Sequence, residues 1–161
     1  ASIGEGAYVG PGVVIGSRCK IQNHALLYEP AILHEGVFVG PGVVLTNDRY
    51  PRALNVDGSF KTNSDWSPVG VVVEEGASIG ARAVLVGPVT VGRWSMVGAG
   101  SVVGSDVMPF SLVRGVPAMH VAWVGRSGKR LEEKDGVLKC PDSGDTFIEL
   151  HGALVMLDTE E

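Results

Sequence analysis

Hydrophobic positions in this chain recur every six residues. From Ser2 the first third divides into SIGEGA, YVGPGV, VIGSRC, KIQNHA, LLYEPA, ILHEGV, FVGPGV and VLTNDR. The second position is aliphatic in every hexad: Ile3, Val9, Ile15, Ile21, Leu27, Leu33, Val39 and Leu45. Four residues later stands a small or aliphatic residue (Ala7, Val13, Cys19, Ala25, Ala31, Val37, Val43), until Arg49 breaks the pattern. The period resumes with VVEEGA at 72–77 and continues through SIGARA, VLVGPV, TVGRWS, MVGAGS and VVGSDV to residue 107. Leu45 to Val73 is 28 residues, not a multiple of six, so residues 46–72 leave the repeat as an insertion loop.

A period of six fits neither the 3.6 of a helix nor the 7 of a coiled coil. It suits a short strand followed by a tight turn, stacked as the flat faces of a solenoid. Three hexads make one triangular coil. The fourteen therefore predict an all-β solenoid of about four and a half coils, a little over 20 Å tall at ~4.8 Å per layer. Such a short body leaves apolar ends and faces uncovered, and self-association is the expected remedy. The sequence divides into a solenoid over 1–109 and an extension over 110–161. In the extension, residues 117–134 are expected to begin with a short helix, and VLKCPDSGDTFIELHGALVML reads as a β-hairpin, a small α/β tail in all.

Glycine fills 23 of 161 positions, about twice ordinary usage, and it marks the turns. A net charge of -5 and a pI near 5.3 argue against bulk binding to nucleic acid or an anionic membrane. No apolar run reaches the ~18 residues of a span and no leader is visible. Two cysteines build no disulfide framework, so the expected compartment is the cytoplasm. Only His24 and His34 fall on the repeat, and no HxxxH, HExxH or CxxC spacing occurs, so no metal is expected. Cys140, in Cys-Pro-Asp-Ser-Gly, echoes half a zinc knuckle but reads as structural.

Candidate chemistry gathers where the repeat departs from itself. The insertion concentrates Asn47, Asp48, Arg49, Tyr50, Arg52, Lys61, Asp65 and Trp66; a long loop leaving a rigid repeat is usually functional. Arg49 and Arg52 are placed to fork onto a phosphate or carboxylate. In Lys20-Ile21-Gln22-Asn23-His24, followed by Tyr28 and Glu29, amides replace the usual glycine. Gln22 and Asn23 there either bind sugar hydroxyls or satisfy turn backbone. His24 is a candidate base for an alcohol nucleophile. Gly98-Ala99-Gly100 permits close backbone approach by a ligand, or is plain turn geometry.

The runs KIQNHALLYE, FVGPGVVLTNDRYPRA, SMVGAGSVVGSDV, LVRGVPAMHVAWVGRSGKRL and LKCPDSG resemble the hexapeptide-repeat acyltransferases. Within them they resemble the nucleotide-sugar amine N-acetyltransferases, such as those acting on UDP-2-acetamido-3-amino-2,3-dideoxyglucuronate and dTDP-3-amino-3,6-dideoxyhexoses. The resemblance implies a left-handed parallel β-helix assembled as a homotrimer with sites between subunits. It also implies further coils ahead of Ala1. The reaction it implies is acetyl-CoA-dependent acetylation of the amine of a nucleotide-linked sugar, on the way to a surface polysaccharide such as O-antigen.

On the same footing, Gln22, Asn23, Tyr28, Arg49 and Arg52 would bind the sugar nucleotide and Asn47 would orient the amine. CoA would run along a groove past Gly98, Ala99, Arg114, Pro117 and Ala118. His24 stands where family members usually carry Asn, and is the reserve base. A free amine attacks a thioester with positioning and oxyanion stabilisation alone; an alcohol needs the base. The rival readings are a sugar O-acetyltransferase using His24, a solenoid scaffold or binding protein without turnover, and a γ-carbonic-anhydrase-like metalloenzyme, which lacks a third histidine on the repeat.

Overall fold

A computed structural model describes residues 1–157; residues 158–161, the end of the expected extension, lie outside them. Each hexad forms one two- or three-residue strand. Strands β1 (Ser2–Ile3), β2 (Tyr8–Val9) and β3 (Val14–Ile15) make the first coil, and β4 (Lys20–Ile21), β5 (Leu26–Leu27) and β6 (Ile32–Leu33) the second. The third holds β7 (Phe38–Val39), β8 (Val44–Leu45) and, beyond the insertion, β9 (Val71–Val73). The fourth holds β10 (Ser78–Ile79), β11 (Val84–Leu85) and β12 (Val89–Val91). The fifth holds β13 (Met96–Val97) and β14 (Val102–Val103), and is completed by Val107, which bridges to Val91.

Every third strand pairs in parallel, giving three flat faces of a parallel β-helix. The first face stacks β1, β4, β7, β10 and β13, and a further strand, β15 (Ser111–Gly115), adds a sixth layer. The stack thus exceeds the four and a half coils expected, because Ser111–Gly115 keeps strand geometry although its spacing leaves the hexad. The insertion does not disturb the register either. Val73 stacks on Leu33, the place a residue six after Leu45 would have taken, so the loop bulges from one corner while the coil closes beneath it.

The second residue of each hexad points inward: Ile21, Leu27, Leu33, Val39, Leu45, Val73, Ile79, Leu85 and Val91 are buried in one continuous core. Of their counterparts in the first coil, Ile3 is 54% and Val9 37% exposed, and Ile15 is half-buried against the core.

The expected helix in 117–134 is absent. Residues 118–123 form β16 (Ala118–Trp123), antiparallel to β15. The reason is physical: β15 ends the first face with unpaired N–H and C=O groups, which a returning strand satisfies and a helix does not. β17 (Glu132–Lys134), β18 (Val137–Lys139), β19 (Thr146–Leu150) and β20 (Ala153–Leu157) follow as a four-stranded antiparallel sheet. It folds around Phe110, Trp123 and Phe147, the two phenylalanine rings 5.1 Å apart. The tail is therefore all-β rather than α/β.

Candidate functional site

Three corners join the faces, and the predicted site residues sort onto two of them. The first corner, between the first and second faces, stacks Glu5, Asn23, Pro41, Ala81 and Ala99. Each carbonyl of the lower four accepts an N–H from the coil above: Glu5 from His24, Asn23 from Gly42, Pro41 from Arg82 and Ala81 from Gly100, at 2.8–3.0 Å. Gln22 is half-buried, and Asn23 and His24 are exposed. Asn23, His24, Pro41, Gly42, Ala81 and Arg82 line a groove of about 260 Å³.

Higher on this corner, a Cβ built on Gly98 would stand 2.9 Å from the Arg114 Cβ, and one built on Gly100 would meet nothing within 4 Å. Pro117 and Ala118 turn the β15–β16 hairpin above them, Ala118 packing on the coil core. All five residues predicted to meet CoA thus share the upper end of the corner that carries His24. Small residues and one guanidinium suit a chain of amides and phosphates there.

The second corner, between the second and third faces, launches the insertion. Asn47 anchors it twice: its carbonyl accepts the Val69 N–H at 2.9 Å, and its Nδ2 donates to the Glu29 carbonyl at 2.8 Å. With Nδ2 committed, Oδ1 is left as an acceptor. The Glu29 side chain folds over Gly10, and its Oε2 is buried with no hydrogen-bond partner among the described residues. Tyr28 packs on Tyr8, ring centroids 5.1 Å apart.

The loop is braced by its own turns. Asp48 accepts the Tyr50 N–H at 2.9 Å, and Asp65 accepts from the Thr62 hydroxyl and N–H at 2.7 Å; these bonds to Thr62 hold the Asp65 carboxyl below its usual range. Asp48, Arg49, Tyr50, Lys61, Asp65 and Trp66 line most of a cavity of about 330 Å³. Arg49 and Arg52 are exposed, and among the described residues Arg52 donates only to the Pro51 carbonyl, at 3.1 Å.

The fold therefore does not bring the two expected catalytic residues together. Asn47, with Tyr28, Arg49 and Arg52, stands on one corner; His24, with Gln22 and Asn23, stands on the other, across the width of the second face. His34 lies on the third corner with Glu74, Glu75 and Arg93. Among the described residues no three His, Cys, Asp or Glu side chains converge as metal ligands would. Cys140 is fully buried and within 3.3 Å of the Ser127 hydroxyl. Two residues escaped the sequence reading as site members: Glu29, noted only as a neighbour of Tyr28, and Arg82. Both become visible once residues a coil apart are seen to stack.

The description "Bacterial transferase hexapeptide (six repeats)" matches residues 70–105, and "Hexapeptide repeat of succinyl-transferase" matches residues 1–27. The coils carry the hexapeptide repeat of bacterial transferases over these two stretches. They are those of the left-handed parallel β-helix. This hexapeptide chain is 30% identical to serine acetyltransferase of Bacillus licheniformis over 99% of its own length and 62% of that protein's. It is 39% identical to dTDP-3-amino-3,6-dideoxy-alpha-D-galactopyranose 3-N-acetyltransferase of Aneurinibacillus thermoaerophilus over 43% of its length and 36% of that protein's. Among solved structures, a histidine-to-alanine variant of GDP-perosamine N-acetyltransferase from Caulobacter crescentus, in complex with CoA and GDP-perosamine, matches with a TM-score of 0.58. Identity there is 26%, covering 74% of this chain and 50% of that one. The chain thus spans less than two thirds of each of these relatives.

Proposed function

We propose that the chain is an acetyl-CoA-dependent N-acetyltransferase whose acceptor is the amino group of a nucleotide-linked sugar, a cytoplasmic step toward a surface polysaccharide. The observation that carries this reading is the pairing of Glu29 and Asn47. Each has an acceptor with no donor among the described residues, the Glu29 Oε2 buried over Gly10 and the Asn47 Oδ1, on the corner where Tyr28 packs on Tyr8. An amine offers two or three N–H donors and, when protonated, a positive charge; a hydroxyl offers one donor and no charge. Two acceptors, one of them a carboxylate, complement the amine.

In the reaction Asn47 and Glu29 hold the amine, and its lone pair attacks the thioester carbonyl. The C–N bond forms, the C–S bond breaks, and the departing thiolate takes the proton. A backbone N–H of the coils holds the oxyanion, as preorganised donors do in acyl transfer. Gly98, Ala99, Arg114, Pro117 and Ala118 would hold CoA, and Arg49 and Arg52 the acceptor's phosphates, with Gln22 and Asn23 on its sugar.

Because the first and second corners of one chain stand apart, a site using both takes them from two copies. The outward ladder on the second face, Tyr8, Leu26, Val44, Val84 and Val102, is apolar in every layer and suits self-association into the homotrimer.

A second reading, O-acetylation, is favoured by His24, whose ring nitrogens have no partner among the described residues, and by the likeness to a serine acetyltransferase. Free-thiol release from acetyl-CoA, with UDP- and dTDP-linked amino sugars, their hydroxy counterparts and serine, separates the readings. Release with amino sugars alone is expected. Release with hydroxy sugars or serine overturns the assignment in favour of O-acetylation, and CoA binding without turnover on any acceptor overturns it in favour of a binding protein.

A further inference from the structure

Seven residues other than glycine hold the left-handed backbone conformation: Arg18, His24, Arg82, Trp94, Phe110, Asp135 and His151, at φ between 52° and 60°. L-residues avoid this region unless the surroundings offset the strain. For six of them the offset is visible. Asp135 and His151 each precede a glycine also at positive φ and turn the β17–β18 and β19–β20 hairpins, as two-residue hairpin turns require. Arg18 pairs with Glu35 at 2.7 Å, Trp94 lies flat over Gly76, and Phe110 is buried against Phe147.

His24 lays its ring over Gly6 in the same way, and Arg82 alone has no such return. Neither side chain makes a hydrogen bond or ion pair among the described residues. Both occupy the same position of the first corner, where the other coils carry Gly6, Gly42 and Gly100 at φ 66° to 68°. Glycine is the unstrained solution at that position, and twice it is set aside. Gly42 between them keeps the space open: its absent Cβ would stand 3.4 Å from the Arg82 Cγ, so the arginine stem runs over Gly42 toward His24. The 260 Å³ groove is what lies between the two side chains, with Asn23 at its edge.

We propose that this groove is an oxyanion subsite, in which Arg82 forks a phosphate or carboxylate and His24 and Asn23 supply further donors. A guanidinium with no carboxylate beside it among the described residues, held in a concave slot, is built for bidentate recognition of such a group. The N-acetyltransferase reading enters only in naming the sources of the oxyanion: a CoA phosphate, the diphosphate of a sugar nucleotide, or a carboxylate on the sugar.

The test is Arg82→Gly, which removes the guanidinium and the strained Cβ together. It should melt at the wild-type temperature or above, because glycine is at ease at φ +57°. It should also lose about tenfold or more in affinity, the worth of a charge-assisted hydrogen bond, for whichever ligand supplies the oxyanion. Calorimetric titrations would use CoA, phosphate-free acetyl-pantetheine, a nucleotide-linked amino uronate and a nucleotide-linked amino deoxyhexose. A loss for CoA but not acetyl-pantetheine assigns the subsite to CoA phosphate. A loss for the uronate alone assigns it to the sugar carboxylate, and a loss for both nucleotide sugars to their diphosphate. Wild-type affinity of the variant for every ligand, an equal loss that includes acetyl-pantetheine, or failure of the wild type to bind any of them overturns the subsite. Binding is read rather than turnover, so failure of the N-acetyltransferase reading is a separate result.

Discussion

A single methyl group at position 10 tests whether the Glu29 carboxylate is held in place for the acceptor. Gly10 has an ordinary φ and donates to the Leu27 carbonyl at 2.8 Å, so alanine is compatible with its backbone. The new Cβ, however, falls on the Glu29 Oε2, while its next neighbours, the Glu29 N and Leu27 O, stand at 3.2 and 3.3 Å. Those two need give only a few tenths of an ångström. The carboxylate has to leave.

The stability terms nearly cancel. Overpacking costs ~1–3 kcal/mol. Against it, freeing an unpaired buried polar atom returns ~1–3 kcal/mol, and Gly→Ala restriction of the unfolded chain returns ~0.4–1 kcal/mol. The melting temperature of Gly10→Ala should therefore stay within a few degrees of wild type. The functional term does not cancel. Losing a charged hydrogen bond to the amine removes ~1.5–3 kcal/mol of binding in the transition state, or about 10- to 150-fold in kcat/KM at ~1.4 kcal/mol per tenfold.

Thiol release with an amino-sugar nucleotide reads this directly, beside a thermal melt. Glu29→Gln keeps the shape and removes the charge, so it should reproduce the loss. The double variant should add little to either single one, because both act on one group. An unchanged kcat/KM in a normally folded Gly10→Ala protein refutes the reasoning, as does a double variant whose losses simply add.

Three further outcomes follow from the same geometry. Gly80→Ala places a methyl 2.5 Å from the Ala99 N and 2.7 Å from the Val97 O, both backbone of the next coil, which cannot rotate away. It should cost ~3 kcal/mol or more, lowering the melting temperature by about 6–12 °C at ~2–4 °C per kcal/mol; a wild-type melt would refute the stacking argument. Phe147→Ala removes the fully buried ring of the tail cluster at ~3–5 kcal/mol, and hydrogen exchange should show β17–β20 losing protection while the coils keep theirs. Burial by itself raises the Cys140 thiol, but hydrogen bonds from the Ser127 and Ser143 hydroxyls and the Ser143 and Asp142 N–H groups outweigh it and bring the thiol from 9.0 to about 7. An acid depressed by folding stabilises above its unfolded pKa and loses that stability as pH falls through its folded one. The melting temperature of wild type minus that of Cys140→Ala should therefore rise between pH 6.5 and 9, and a flat difference would exclude the thiolate.

The coils are legible in the sequence because their rule is strict. An inward aliphatic at the second place of each hexad, with a small residue four places on, makes every strand from β1 to β14 visible before any coordinates. The tail is less legible. The hydrophobic residues of 117–134 follow no single period, and what decides their strand state is the unpaired edge of β15, a partner that composition does not announce. The register across the insertion is hidden for a related reason. Counting residues from Leu45 to Val73 suggests a lost phase, whereas closure of the coil depends on Val73 stacking over Leu33 and is indifferent to how long the loop is.

The chemistry is legible only where it interrupts the repeat along the chain. The insertion, with Asn47, Arg49 and Arg52, stands out because it stops the hexads; KIQNH stands out because amides and histidine replace glycine. Glu29 and Arg82 sit in hexads whose aliphatic positions are intact, so nothing in the linear pattern marks them. Their departures are vertical. Glu29 needs Gly10 in the coil below to house its carboxylate, and Arg82 takes a left-handed position that the coils on either side give to Gly42 and Gly100. In a β-helix the neighbours that decide a side chain's fate lie one coil away. Functional residues are therefore found by reading each corner as a column and asking which member lacks a structural partner. By that criterion the two candidate corners are each defined by one charged residue that the coils accommodate and the fold itself does not need: a carboxylate beside Asn47, and a guanidinium above His24.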